Sequence, residues 1–121
     1  MMIKIYSLLA EVLGVPVYQD FIPEKKPKPA ASYLIINRET EKVLKGTPVL
    51  RRITVQVSIS SDTSRLDCEL VCDRLRALDG SFMHSNFQYI SIISDTDDPI
   101  SDTSERIYTT NIELQLTPKL K

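Results

Sequence analysis

VLRRITVQVSISSDTSRLDCELVCDRLRALD, residues Val49 to Asp79, sets one strand directly before one helix and decides the fold. Ile53, Val55, Val57 and Ile59 alternate with Arg52, Thr54, Gln56 and Ser58, the period-two pattern of a strand with one buried and one wet face. Ser61 and Asp62 then offer N-cap oxygens. From Arg65 the apolar spacing changes to about 3.6 residues, until Gly80 supplies a stop. On this helix Cys68, Val71, Cys72, Leu75 and Leu78 form the main apolar stripe, and Arg65, Glu69, Asp73 and Arg76 the charged one. Leu66, Leu70 and Ala77 fall outside both, which predicts a second apolar flank against the first helix or another subunit.

Upstream, TEKVLKGTP ends in Gly46 and Pro48 and reads as the long tip of a hairpin joining the Val49 strand to SYLIINRE, Ser32 to Glu39. Val43 and Leu44 are apolar residues in that otherwise polar arm, suiting an anchored loop or a surface covered by another chain. SYLIINRE carries apolar groups on both faces at its start, which predicts a central strand. Before it, IPEKKPKPA should be an exposed, extended loop, and VPVYQD a short edge strand because Pro16 lacks a ladder donor. Ile3, Ile5, Leu8, Leu9, Val12 and Leu13 predict an amphipathic first helix from Met2, ended by Gly14.

Downstream of Gly80, Ser81 to Ser85 reads as a lead-in, with His84 a turn residue, to the strand FQYISII, Phe87 to Ile93. An acidic loop, SDTDDPISDTSE, follows. Arg106 to Thr117 then alternates with Tyr108, Thr110, Ile112, Leu114 and Leu116 inward, and Pro118 to Lys121 reads as a polar tail. The order helix, short strand, strand, strand, helix, strand, strand predicts an α+β fold. It would be a two-layer sandwich, an antiparallel sheet of about five strands with two helices on one face.

A chain of 121 residues, 42% hydrophobic, suits one core, so a single domain over 1–121 is expected. With 15 basic and 16 acidic side chains, the surface has no global field to draw in nucleic acid. No stretch approaches the roughly 20 apolar residues of a membrane span, so a soluble, unprocessed protein is expected. Cys68 and Cys72, four apart in one helix, suit reduced thiols in a cytoplasm better than a disulfide.

Chemistry-bearing groups are few. Asp95, Asp97, Asp98, Asp102 and Glu105 crowd the acidic loop, but a calcium loop started at Asp95 meets Pro99 and Ile100 where an acid and a glycine are needed. A solvated turn is the better reading, and no metal is expected. Cys68, Cys72 and the single His84 are too few for a closed zinc site, and no nucleophile motif surrounds them. With three scattered glycines there is no phosphate cradle, so neither catalysis nor a cofactor is expected. Lys25, Lys26 and Lys28 have three readings: a flexible surface loop, a phosphate-contacting patch without stacking aromatics, or an assembly arm that meets the acidic loop of a neighbouring copy.

The layout of the whole chain resembles the tail-terminator, or tail-completion, proteins of long-tailed bacteriophages and prophages, also described as minor tail or head-tail joining components. GVPVYQDFIPEKKPKPAASYLII looks like the family's short strand, proline-bearing loop and strand. RRITVQVSISSDTSRLDCELVCDRLRALDG looks like its alternating strand running into a helix, and ERIYTTNIELQLTP resembles its final strand. The lysine run matches no family position. The resemblance implies a structural virion protein, assembled in the bacterial host cytoplasm, whose copies form a ring, commonly a hexamer. The ring caps the tail tube and faces the head connector. Its expected partners are further copies of itself, the tail tube protein and the head connector protein, with no membrane and no specific nucleic acid. Candidate interface residues are Lys25, Lys26, Lys28, Val43, Leu44, Leu66, Leu70, Asp95, Asp97, Asp98 and Asp102. A small nucleic-acid-associated module using the lysine loop is the alternative.

Overall fold

A computed structural model describes residues 2–23, 29–41, 49–84, 87–97 and 107–118. The elements run α1 (Met2–Leu13), β1 (Val17–Gln19), β2 (Ala30–Glu41), β3 (Val49–Ser61), α2 (Arg65–Arg76), β4 (Ser81–His84), β5 (Phe87–Asp97) and β6 (Tyr108–Pro118). The strands form one six-stranded sheet in the order β1-β2-β3-β6-β5-β4. All neighbours are antiparallel except β1 and β2, which run parallel. The fold is therefore α+β in two layers, with one strand more than expected and one parallel pairing at the edge.

The period-two pattern does what it predicts in the middle of the sheet. Ile53, Val55, Val57 and Ile59 of β3 are buried beside Leu116, Leu114, Ile112 and Thr110 of β6, their register partners. On the opposite face Ser58 Oγ donates to Asn111 Oδ1 at 2.7 Å, and the Ser60 and Thr109 hydroxyls lie 3.0 Å apart. Both helices cover the apolar face: Ile5, Leu8, Leu9 and Leu13 of α1 and Cys68, Val71, Cys72 and Leu75 of α2 join the strand residues in one buried cluster. Ile3, placed on the inward side of α1 by the sequence, is instead 81% exposed. At about 100° per residue it lies some 150° from the centre of the stripe of Ile5, Leu8 and Leu9.

The helix ends are set by specific contacts. The N-cap of α2 is Ser64, not Ser61 or Asp62: its side chain accepts from the Asp67 N–H at 3.2 Å. Ser61 lies at the end of β3, where its hydroxyl sits 3.0 Å from that of Thr63. At the other end of α1, Gly14 has φ +67°, and a Cβ there would come within 2.9 Å of Arg74 Nη1. Arg74 Nη1 donates to the Leu13 carbonyl at 2.6 Å. One glycine thus serves the left-handed C-terminal turn and makes room for the α2 arginine that satisfies an orphan carbonyl.

The sheet departs from regularity in one row. Ile35 of β2, Val55 of β3, Leu114 of β6 and Ile92 of β5 stand abreast. Immediately beyond that row both outer strands carry an extra residue, Ile36 in β2 and Ile93 in β5. A bulge bends its strand and increases local twist. Two bulges on either side of one straight pair therefore bend the two flanks of the sheet at the same height. Pro118, expected in a polar tail, is instead the buried last residue of β6, and Ser81–His84, expected as a lead-in with His84 in a turn, forms β4 against β5.

Candidate interface surfaces

The outer surface of α2 follows from its amphipathic register. With Cys68, Val71, Cys72 and Leu75 turned to the sheet, Leu66 and Leu70 face away, 66% and 55% exposed. They lie four residues apart, one turn of helix, and so share a surface stripe. Neither is buried against α1, which leaves the second apolar flank of this helix open to solvent.

Two arginines clasp α2 to the end of β5. Arg76 donates from Nε to Asp95 Oδ2 at 2.6 Å and from Nη2 to Asp95 Oδ1 at 3.0 Å, a two-point fork. Its Nη1 also reaches Glu69 Oε2 at 2.7 Å and Asp73 Oδ1 at 2.9 Å. The hydrogen bonds to Asp95, then Glu69, hold the guanidinium even above its ordinary high pKa. At the start of the helix, Arg65 Nη1 donates to the Thr109 carbonyl at 3.1 Å and stands 3.6 Å from Asp97 Oδ1, with the guanidinium over the Tyr108 ring at 5.4 Å.

Asp95 and Asp97 were expected in an acidic loop facing another chain. They lie instead on β5, alternating with Thr96, and their carboxylates are engaged by α2 of the same chain. From Asp97 a polar thread enters the core: Thr110, fully buried, donates to Asp97 Oδ1 at 2.6 Å, and Cys68 Sγ lies 3.4 Å from the Thr110 hydroxyl and donates to the Ile59 carbonyl at 3.0 Å. Cys68 and Cys72 are both buried free thiols. The hydrogen bond between them eases ionisation of Cys68 and drives the Cys72 thiol well above its ordinary range, with burial acting in the same upward sense on Cys72. The thiols therefore lose protons as a pair, not singly. Among the described residues no group of three or more histidines, cysteines and acids is placed to hold a metal ion.

At the opposite edge, Ile3, Tyr6, Val17, Tyr18, Gln19 and Tyr33 line a shallow groove of about 390 Å³ between α1 and β1. Burial first, then the proximity of Tyr6 and Asp20, raises the Tyr33 pKa. Beside the groove the chain turns through Asp20, whose φ of +71° is unusual for a residue with a Cβ. Phe21 N donates to the Gln19 carbonyl at 2.9 Å across this three-residue turn. Phe21 is left exposed at its end.

Of the residues singled out in the sequence, Leu66 and Leu70 form one exposed pair and Asp95 and Asp97 belong to the α2 clasp. Lys25, Lys26, Lys28, Val43, Leu44, Asp98 and Asp102 lie outside the described residues. Sequence reasoning missed the exposed Leu34, Ile36 and Ile93. The available signal was the adjacent pairs Ile35-Ile36 and Ile92-Ile93, which interrupt strict alternation where each bulge occurs. No helix among the described residues is long and apolar enough to cross a membrane. Comparison of the sequence with known family models and with curated proteins finds no match to either.

Proposed function

We propose that this chain is a structural subunit of a long-tailed phage or prophage virion, capping the end of the tail tube and helping to join tail to head through a homo-oligomeric ring. The layout of its elements supports this reading through the resemblance of RRITVQVSISSDTSRLDCELVCDRLRALDG to the strand and helix of tail terminators. The observation that carries it is the exposed Leu66 and Leu70 pair, one turn apart on the outer face of α2. A helix that packs its other face into a core gains nothing from two exposed leucines unless a partner covers them. Contact with other chains, and not catalysis, is then the activity. The tube and the head connector are the expected neighbours.

The test is the mass of the purified chain across concentration, with electron microscopy of rings formed alone and on added tail tubes. The expected result is capped tubes, lost in a Leu66→Ser, Leu70→Ser variant of unchanged thermal stability. A chain that stays monomeric both free and with tubes overturns the reading.

A further inference from the structure

We propose that copies of this chain join edge to edge, with β5 of one copy beside β2 of the next, so that the sheet continues from subunit to subunit. This names the contact between copies in the ring proposed above and rests on that reading for ring closure.

The argument begins with backbone groups left over. β1 pairs with β2 only from Ala31 to Tyr33. The turn at Asp20 then takes the chain away, so among the described residues β2 has no outer neighbour from Leu34 to Glu41. At the far side β4 pairs with β5 only as far as Ile90. The Ile92 N–H is taken by Asp79 Oδ1 at 2.9 Å, and from Ile93 to Asp97 no described strand lies outside β5. A long open edge is a template for another strand, and proteins that avoid such pairing cover or shorten it. Here a conformationally unusual non-glycine residue ends β1 early and so leaves the β2 edge uncovered.

Topology identifies the occupant. β2, β3, β6 and β5 alternate in direction, so β2 and β5 run opposite to one another. Copies related by rotation about an axis along the strands keep their strand directions. β5 then meets the next copy's β2 antiparallel, with every helical layer on the same side of the continuing sheet. The side chains agree with this pairing. Arg38 stands opposite Ile53, and Asp95 opposite Ile112, so both charges lie on the helix-covered face. Ile36 and Ile93, 44% and 49% exposed, follow the same row of the sheet, so apolar groups and matched bends occur at one height on both edges.

The two edges can be blocked separately. Ala31, Tyr33, Ile35 and Arg38 stand opposite Ile59, Val57, Val55 and Ile53. Because Ala31 N donates to the Pro16 carbonyl and the Tyr33 carbonyl accepts from Asp20 N, this set points its backbone groups outward. Arg38→Pro therefore removes a donor from the open edge and none from the internal ladder. Ile93→Lys places a charge on the other edge. Sedimentation of wild type from dilute to millimolar concentration should show self-association, each variant alone should be monomeric with unchanged melting, and an equimolar mixture should form only a one-to-one dimer through the two intact edges.

Wild type that never self-associates overturns the proposal, as does association that either folded variant leaves unchanged. A mixture that stays monomeric also overturns it. If Arg38→Pro melts early, Ile36→Lys replaces it as the β2 block. Rings that still cap tubes when both edges are blocked remove the edge contact and leave the proposed function standing. Edge-dependent association without tube capping does the reverse.

Discussion

The central strands β3 and β6 and the flanking strands β2 and β5 belong to one sheet but obey different rules. The central pair keeps an unbroken register from Ile53 to Ser61, with every inward residue buried up to Ile59. The flanking pair begins the same way, then bulges past one shared row and turns Ile36 and Ile93 toward solvent. Regular alternation maximises burial between two helices and a sheet. A bulge gives up one ladder position to redirect a side chain and curve the strand. Stability should therefore be concentrated in the middle of the row Ile35, Val55, Leu114, Ile92, and the residues beyond its ends should contribute little to the isolated chain.

The largest test of that contrast is Leu114→Ala. Leu114 is fully buried at the centre of the row, so its truncation leaves a cavity that neighbours on β3 and α2 fill only in part. A loss of about 2–5 kcal/mol is expected, read as a fall in denaturant midpoint with little change in slope. A loss below about 1 kcal/mol would mean that the middle of the sheet repacks as freely as its margins.

Thr110→Val is expected to cost less. It keeps the shape while removing the hydroxyl between Asp97 and Cys68. Asp97 is half exposed and can turn to water, and Cys68 keeps the Ile59 carbonyl, so a loss of about 1 kcal/mol is expected. Wild-type Cys68 and Cys72 should also resist a thiol reagent until the chain opens, and faster labelling in Thr110→Val would place the polar thread among the contacts that hold α2 down.

A smaller effect separates the buried base of β2 from its open end. Burial raises the Tyr33 pKa, so near pH 10 the unfolded chain loses this proton while the folded chain retains it. Ionisation then favours the unfolded state: this contribution to stability is whole below about pH 10 and declines as pH rises through the folded value. Tyr33→Phe should flatten that part of the alkaline limb. An unchanged limb would assign the alkaline loss to other groups.

What was legible in the sequence follows the same division. Ile53 to Ile59 and Thr110 to Leu116 could be assigned inward because two-residue alternation is read without knowing the neighbours. The inward stripe of α2 and the stop at Gly80, whose φ is +79°, were legible for the same reason. The clasp was not. Arg65 and Arg76 are about three turns apart on α2, and Asp95 and Asp97 read as loop formers until tertiary packing brings them beside those arginines. The two bulges were visible only as adjacent isoleucines, a pattern equally compatible with a strand buried on both faces. β4 was too short to show a period, and the choice of Ser64 over Ser61 as N-cap depended on how far β3 extends.

The finest test lies at the ends of the row. Ile36→Ser and Ile93→Ser remove the bulged side chains, which are already about half exposed, so each should change the stability of the monomer by no more than about 0.5 kcal/mol. Neither substitution alters a residue in register with β3 or β6, because the paired positions are Ile35 and Asn37 on one side and Ile92 and Ser94 on the other. If both variants melt like wild type while Leu114→Ala does not, the row divides into a stabilising middle and ends that serve contact outside the chain. A loss above about 1 kcal/mol from either serine would instead make that bulge a packing device of the isolated subunit, and would remove the reason to assign Ile36 and Ile93 to a neighbouring copy.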